Sequence, residues 1–156
     1  MRIIPRSEWG ARPARSSNKV ARSRRRAFVV HYDDGRPTTR TGSAIPKGIQ
    51  NYHMDGQGWR DGGYNFVISQ AGEIFEMRGW DELGAHAGSA GNVEGIGVQV
   101  HIGGDQRPSQ EALAALVWLK AEADRIFGRS LAWKGHRDYM STSCPGVPLY
   151  TWMRSG

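Results

Sequence analysis

Apolar residues recur along the chain in short, uninterrupted runs that predict buried β-strands. Residues 27–31, Ala-Phe-Val-Val-His, form one such run, and a turn-rich segment at 33–35 ends it. Residues 95–102 form a second apolar run. Gly97 lies inside this second run, and a glycine there indicates that another group approaches the backbone closely.

Two further β-rich runs predict a hairpin. Residues 64–69 and 73–77 flank Gln-Ala-Gly at 70–72. A glycine-containing turn between two such runs is typical of antiparallel strands that follow one another in the chain.

Helical periodicity is clearest over residues 108–127, where apolar side chains recur at helical spacing. Pro108 lies at the start of this segment and Gly128 just past its end, as expected for helix boundaries. A second helix is predicted over 43–54, with Ser43 in the capping position. The face of this helix predicted to be apolar carries Ile45, Ile49, Tyr52 and His53.

Strands mixed with two well-defined helices predict an α/β domain with a mixed sheet. The 156 residues suit a single domain, covering 1–156, with one hydrophobic core. Residues 134–156 are rich in Gly, Pro, Ser and Thr, so we predict a loop there.

Composition places the chain among folded proteins and indicates an anionic partner. Apolar residues make up 38% of the chain and the net charge is +6. Nucleic acid, anionic lipid and an anionic cell wall all remain open as partners.

No stretch approaches the ~20 apolar residues of a membrane span, and no apolar leader is visible. The basic stretch 14–26 is predicted to be a solvated loop, with an anion-binding patch as the alternative.

The single cysteine, Cys144, cannot form a disulfide within the chain. It is a buried apolar residue, a nucleophile or a metal ligand. His31 ends a predicted strand, and His136 precedes Cys144 by eight positions. Zinc prefers imidazole nitrogen and thiolate sulfur, so these residues could form a three-ligand site, although their spacing alone is a weak indication.

The chain carries several distinctive segments in a fixed order. They are Trp9-Gly10-Ala11-Arg12, Phe28-Val29-Val30-His31, Gly58-Trp59, Gly63-Tyr64-Asn65-Phe66-Val67-Ile68, Gly79-Trp80, Gly84-Ala85-His86, Gly135-His136-Arg137-Asp138 and Thr142-Ser143-Cys144-Pro145-Gly146. In kind and order they resemble the type-2 N-acetylmuramoyl-L-alanine amidases, a family that includes phage amidase lysins and peptidoglycan recognition proteins. This resemblance implies a central mixed sheet flanked by about three helices.

The resemblance also implies roles for individual residues. His31, His136 and Cys144 correspond to zinc ligands, and Tyr64 to a tyrosine beside the metal. Thr142 lies where some phage members carry a catalytic lysine and recognition proteins often carry threonine. The implied substrate-binding residues are Trp59, Asn65, Trp80 and His86. For the two tryptophans a place in the core is an equally open interpretation.

The implied activity is zinc-dependent hydrolysis by water of the amide between N-acetylmuramic acid and L-alanine in bacterial peptidoglycan. Tyr64 or Thr142 would stabilise the developing oxyanion. We expect a monomer that acts on peptidoglycan and does not bind membranes. The absence of a visible leader fits a phage endolysin held in the host cytoplasm until its release, and equally an excised catalytic domain.

One local departure and three alternative functions stay open at this point. Where the family often has His or Cys followed by Thr or Ser, this chain has Tyr-Asp-Asp at 32–34. We predict that Asp33 and Asp34 face solvent, with tuning of the metal site as the alternative. The first alternative function is a non-catalytic peptidoglycan-binding module of the same fold. The presence of all three ligands favours the enzyme over that module.

The second alternative is a cysteine hydrolase that uses Cys144 and His136. The third is nucleic-acid binding through the basic residues Arg22, Arg24, Arg25 and Arg26. No recognised nucleic-acid-binding motif accompanies those arginines, so we do not expect nucleic acid as the main partner.

Overall fold

Six strands form one mixed sheet in the order β1-β4-β3-β5-β2-β6 in the computed structural model, which describes residues 1–155. The strands are β1 Ile3–Ile4, β2 Ala27–His31, β3 Phe66–Ile68, β4 Ile74–Glu76, β5 Gly95–Val100 and β6 Ala132–Gly135. Strands β3, β5, β2 and β6 are parallel, whereas β4 is antiparallel to β3 and parallel to β1. The predicted mixed sheet, its hairpin and its two buried strands are confirmed.

Five α-helices surround the sheet, rather than about three. They are α1 Arg6–Trp9, α2 Ala44–Asn51, α3 Gly88–Glu94, α4 Gln110–Phe127 and α5 Val147–Arg154. Helices α1 and α3 have only four and seven residues, too short for a periodic pattern to reveal. Among residues 1–155, no helix is both long and apolar enough to cross a membrane.

The prediction of a loop over 134–156 is wrong at both ends of that segment. Strand β6 extends to Gly135, and helix α5 occupies Val147–Arg154. Pro148 lies in the first turn of α5, where a missing N–H costs nothing. Leu149 and Met153 lie one helical turn apart and are both buried. Gly156 lies outside the described residues.

The long helix α4 begins two residues after the predicted start. The Ser109 hydroxyl accepts a hydrogen bond from the Ala112 N–H (3.0 Å) and so caps the helix. Gly128 ends it in the left-handed conformation, with φ of 67°. The predicted C-terminal boundary is therefore confirmed.

Helix α2 departs from the predicted pattern at its C-terminal end. Ile45 and Ile49 are buried as expected, but Tyr52 is 62% exposed. From Tyr52 to Gly56 the chain forms a π-helical turn, which is wider than an α-helical turn and shifts the side chains around the axis. The Ser43 side chain makes no capping hydrogen bond, so that part of the prediction is also wrong.

The two faces of the sheet bury separate apolar layers. On one face, Phe28 and Val30 of β2 pack with Leu116 and Leu119 of α4. On the other face, Val67 of β3 packs with apolar residues of α1 and α2. Because successive residues of a strand point to opposite faces, His31 projects on the side of Val29, away from α4.

The basic stretch 14–26 is not uniformly solvated. Arg25 has no exposed surface, and its guanidinium donates hydrogen bonds to backbone carbonyls of the segments around residues 80–82 and 92–95. Arg22 is exposed and forms an ion pair with Asp81 (2.8 Å). The prediction of a solvated loop is therefore wrong for Arg25, which holds neighbouring backbone segments together.

Candidate metal centre and groove

His31 lies at the carboxyl end of strand β2, and only 1% of its surface is exposed. Strands β5 and β6 pair in parallel with β2 on either side, so the carboxyl ends of three strands meet here. Burial lowers the pKa of His31 well below its ordinary value, and the nearby His86 and His136 lower it further. The His31 ring is therefore neutral and able to act as a ligand.

His136 follows β6 directly and begins a 3₁₀ turn. The Gly135 N–H donates to Asp138 Oδ2 (2.7 Å), which fixes the start of this turn. The ring centroids of His136 and His31 are 4.7 Å apart. His136 Nε2 lies 3.3 Å from the Met140 sulfur, a weak acceptor, so its Nδ1 is free for a ligand.

Cys144 lies in the loop that leads to α5, and 6% of its surface is exposed. Its sulfur lies 3.6 Å from His31 Nδ1 and accepts a hydrogen bond from the Tyr32 N–H (3.4 Å). Burial raises the pKa of the Cys144 thiol to about 12, and the Tyr32 N–H offsets only part of that rise. Without a metal, the thiol therefore keeps its proton.

The structure brings all three predicted ligands together. One donor atom from each of His31, His136 and Cys144 lies within 4.8 Å of the other two. Zinc–sulfur and zinc–nitrogen bonds of about 2.3 and 2.0 Å at tetrahedral angles would separate two donors by roughly 3.5 Å. The observed 3.6 Å between Cys144 Sγ and His31 Nδ1 fits that spacing. Two imidazoles and one thiolate form a donor set that suits zinc.

Tyr64 lies beside this cluster, as the resemblance implies. The ring centroids of Tyr64 and His31 are 5.2 Å apart. Burial raises the pKa of the Tyr64 phenol, and the proximity of Cys144 raises it further. The phenol therefore stays protonated and can donate a hydrogen bond.

Thr142 is exposed in the loop that carries Cys144. Its Oγ1 accepts a hydrogen bond from the Cys144 N–H (3.2 Å). The hydroxyl proton is not used in that bond, so Thr142 keeps one donor available. Its predicted role as a donor to substrate is compatible with this position.

A groove of about 460 Å³ lies next to the cluster and meets it at Tyr64. Its volume falls within the usual range for small-molecule sites. Besides Tyr64, its polar lining includes Asp33, Arg40, His53, Gln99 and His101. The groove could therefore hold a substrate that extends away from the metal centre.

None of these five groove residues was among the predicted site residues, although tuning of the metal site by Asp33 was an open alternative. His53 follows α2, and its Nδ1 accepts a hydrogen bond from the Gly63 N–H (2.8 Å). Its Nε2 must then carry the proton of the neutral ring, since burial lowers the pKa of His53 to about 4. Gln99 and His101 contact each other, Oε1 to Nδ1, at 3.0 Å. In the sequence, the signal for these two is that they are polar residues in an otherwise apolar run.

None of the four predicted substrate-binding residues lines the groove directly. Asn65 is completely buried, and its side chain bonds to backbone groups of Gly79, Glu82 and Gly97. It therefore fixes loops and cannot contact substrate. Trp80 packs on Phe66 in the core on the α4 side of the sheet, which confirms the alternative interpretation.

His86 is also not a groove residue. It is buried against His31, with His86 Nδ1 2.9 Å from His31 Nε2. Burial lowers the pKa of His86 to about 3. Trp59 is half-buried, and its ring centroid lies 4.6 Å from that of His53. Of the four, only Trp59 supports the groove, and it does so through His53.

Tyr32 and Asp34 of the segment after His31 have a structural role, whereas Asp33 lines the groove. The Tyr32 hydroxyl donates to Asp34 Oδ1 (2.7 Å) and accepts from the Ser143 hydroxyl (2.7 Å). Tyr32 thus anchors the loop that carries Cys144. Asp33 and Asp34 are both exposed, as predicted.

Comparison with known proteins gives the same assignment as the motifs. The sequence matches the N-acetylmuramoyl-L-alanine amidase family (Amidase_2) over residues 21–147. It is 37% identical over 160 residues to peptidoglycan recognition protein 1 of Mus musculus, covering 98% of this chain and 86% of that protein. It is 35% identical over 165 residues to an N-acetylmuramoyl-L-alanine amidase of Sus scrofa, covering 98% of this chain and 27% of that longer protein.

The fold is also that of solved peptidoglycan recognition proteins. The ectodomain complex of the recognition proteins LCa and LCx, solved with bound tracheal cytotoxin, superposes with a TM-score of 0.91 and 29% identity. That match covers 99% of this chain and 96% of the other. The fold therefore defines a peptidoglycan-recognition-type domain. The chain belongs to the N-acetylmuramoyl-L-alanine amidase family.

Proposed function

We propose that the chain is a zinc-dependent N-acetylmuramoyl-L-alanine amidase that hydrolyses the amide between N-acetylmuramic acid and L-alanine in peptidoglycan. The observation that carries this proposal is the approach of His31, His136 and Cys144 to within 4.8 Å, beside Tyr64, which lines the groove. Three protein ligands with an open position are typical of catalytic zinc, whereas structural zinc sites usually have four.

Zinc bound there would polarise the amide carbonyl and lower the pKa of a water molecule to near 7. The side chains around the zinc would donate hydrogen bonds to the reacting groups. The Tyr64 phenol keeps its proton and can donate to the oxygen on which negative charge develops. The Thr142 hydroxyl is a second donor, held in place by its bond from the Cys144 N–H.

The groove would bind the peptide on one side of the scissile bond. His53 offers an Nε2–H donor whose direction is fixed by the bond from Gly63 to Nδ1. Arg40 and Asp33 supply one charge of each sign. A peptide with alternating amide donors and acceptors and with ionised groups suits such a lining.

A non-catalytic binding module of the same fold is the second candidate, because the relatives include recognition proteins as well as an amidase. Several matched proteins are recognition proteins, and one is solved with tracheal cytotoxin bound. The same groove would bind peptidoglycan in a module that does not hydrolyse it. The cysteine-hydrolase alternative is less well supported, because burial keeps Cys144 protonated and a thiol is a poor nucleophile.

Digestion of purified peptidoglycan separates these candidates. We expect mass spectrometry to show new free L-alanine amines, lost after chelation and restored by added zinc. Binding of peptidoglycan and zinc without release of such amines would support the binding module. Activity that resists chelation but not thiol alkylation would support the cysteine hydrolase.

We further propose that the protein acts as a monomer and that its role is cell-wall lysis, as in a phage endolysin that reaches the wall from the host cytoplasm. Light scattering after size-exclusion chromatography tests the monomer. Loss of turbidity of permeabilised bacteria after addition of the protein tests the lytic role.

A further inference from the structure

The imidazole of His86 lies in a tightly enclosed slot against His31. A Cβ atom built on Gly97 would lie 2.4 Å from His86 Cδ2, and one built on Gly84 would lie 2.5 Å from the same atom. Both distances are too short for real contacts, so only glycine at these two positions leaves room for the ring. Asn92 Oδ1 accepts hydrogen bonds from the N–H groups of His86 and Ala87 and fixes the backbone.

The contacts of His86 determine which of its nitrogens carries the proton. Its Nε2 lies 3.3 Å from the carbonyl oxygen of Gly95, which can only accept. Nε2 therefore carries the hydrogen. Within residues 1–155, neither His86 nor His31 bonds to a carboxylate that would compensate a buried positive charge, so both rings are neutral. In the neutral ring, His86 Nδ1 is then an acceptor.

The same reasoning extends to His31. His31 Nε2 lies 2.9 Å from His86 Nδ1, so it must be the donor of that bond. His31 Nδ1 is then unprotonated, and it is this atom that lies 3.6 Å from Cys144 Sγ. The hydrogen bonds run in one direction, from His31 through His86 to the Gly95 carbonyl.

We propose that His86 is a positioning residue that fixes the tautomer and ring orientation of His31, so that the His31 nitrogen beside Cys144, Nδ1, is unprotonated. The inference rests on the proposed zinc site for its functional meaning, since a ligand histidine needs its coordinating nitrogen unprotonated. Partners of this kind account for about 10- to 100-fold in metal affinity.

The first test is the tautomer itself in the metal-free full chain. Long-range ¹⁵N correlation spectra at neutral pH distinguish protonated from unprotonated ring nitrogens, and the signals are assigned by their loss in His31→Gln and His86→Asn. We expect Nε2 to be protonated in both rings of the wild type. A His31 ring protonated on Nδ1 would overturn the proposal. This result does not depend on whether zinc binds.

The second test compares two variants of the same branched shape. His86→Asn keeps an acceptor near the position of Nδ1, whereas His86→Leu removes it. We expect His86→Leu to weaken zinc binding about 10- to 100-fold in competition with a chromophoric chelator. His86→Asn should retain most of the affinity and the Nε2-protonated form of His31.

Equal loss of zinc affinity in the two variants would show that His86 only fills space, and would refute the proposal. If His86→Leu does not fold, the wild-type spectrum decides alone. If the wild type binds no zinc, the proposed function is refuted. The tautomer measurement would still show whether His86 fixes the protonation of His31.

Discussion

Cys144 Sγ and His31 Nδ1 lie 3.6 Å apart, although 113 positions separate them in the chain. The contact arises because β2 and β6 are adjacent and parallel, so the end of β2 meets the loop that follows β6. The N–H of Tyr32, the residue after His31, also points at the sulfur. A donor pair at this spacing is therefore already formed before any metal binds, which reduces the cost of ordering the site.

Replacing Cys144 by serine should nearly abolish zinc binding. Serine keeps the size but removes the soft thiolate that zinc prefers. We expect a loss of more than about 100-fold in affinity, since even outer partners of zinc ligands account for about 10- to 100-fold. Chelator competition measures this directly. Zinc should also raise the melting temperature of the wild type but not of Cys144→Ser. Equal stabilisation of both proteins would contradict the assignment.

Zinc binding should release about one proton and strengthen with pH. Burial raises the pKa of Cys144 to about 12, so the metal-free protein carries a thiol at neutral pH. Burial lowers the pKa values of His31 and His136, so these rings have no proton to lose there. Affinity should therefore rise about tenfold per pH unit through the neutral range. Calorimetry in two buffers of different protonation enthalpy counts the protons, and a count near zero would refute this prediction.

The regular parts of the fold could be predicted because their patterns are local. The apolar run of β2, and the helical periodicity of α4 with Gly128 at its end, are visible in the sequence. Helix α5 was missed because Gly146 and Pro148 suggest a loop, while its burial comes from contacts with the distant core. The short helices α1 and α3 likewise depend on tertiary packing more than on propensity.

The candidate metal ligands were identified mainly through the resemblance, since residues at opposite ends of the chain have no shared periodicity. The residues predicted to bind substrate do not line the groove. Asn65 and His86 are polar residues in glycine-rich segments, and sequence does not distinguish a buried polar residue that fixes its neighbours from one that faces a ligand. The structure distinguishes them by the bonds each one makes.

Arg25→Met should destabilise the protein by about 3 kcal/mol, because it leaves buried carbonyls without donors. The guanidinium donates to the carbonyls of Trp80, Glu82, Asn92, Val93 and Gly95. Burial also lowers its pKa to about 10, although Asp81 partly offsets the effect. Urea denaturation measures the loss. The neighbouring exposed arginine gives the control, since Arg24→Met should change stability by less than about 0.5 kcal/mol. Similar losses in both variants would contradict this role for Arg25.

Glu82→Gln should remove a pH-dependent part of the stability. Partial burial opposes ionisation of Glu82, but hydrogen bonds from Ser17, the Asn18 N–H and Lys19 outweigh it and lower the pKa to about 2. A carboxyl with a lowered folded-state pKa stabilises the protein fully above its ordinary value of 4.5 and loses this effect as the pH falls toward about 2.

The free energy of unfolding of the wild type should therefore exceed that of Glu82→Gln by about 1 to 2 kcal/mol at neutral pH, after allowance for solvent screening. This difference should vanish near pH 2. Denaturant titrations across this pH range test it. Asp105→Asn changes an exposed carboxylate in the same way and is the matched control. A constant difference between wild type and Glu82→Gln would show that the hydrogen bonds, and not the charge, stabilise the segment.

Tyr64→Phe should separate catalysis from metal binding. The substitution keeps the ring beside His31, at a centroid distance of 5.2 Å, but removes the hydroxyl. Because burial and the nearby Cys144 raise the pKa of the phenol, the hydroxyl is a proton donor across the working pH range. Loss of one such donor to a developing oxyanion typically costs about 100-fold in kcat. We therefore expect kcat to fall by about this factor while zinc affinity stays unchanged.

The matched control is Tyr139→Phe, since Tyr139 packs in the small cluster with Ala27, Val29 and Ala87 and does not line the groove. It should leave kcat near the wild-type value. Thr142→Val, measured in the same assay, gives the contribution of the second donor, the Thr142 hydroxyl, to kcat. If Tyr64→Phe lost zinc affinity together with kcat, the tyrosine would be supporting the ligands and not the reaction. If Tyr64→Phe left kcat unchanged, Thr142 and the metal would have to stabilise the oxyanion without the Tyr64 hydroxyl.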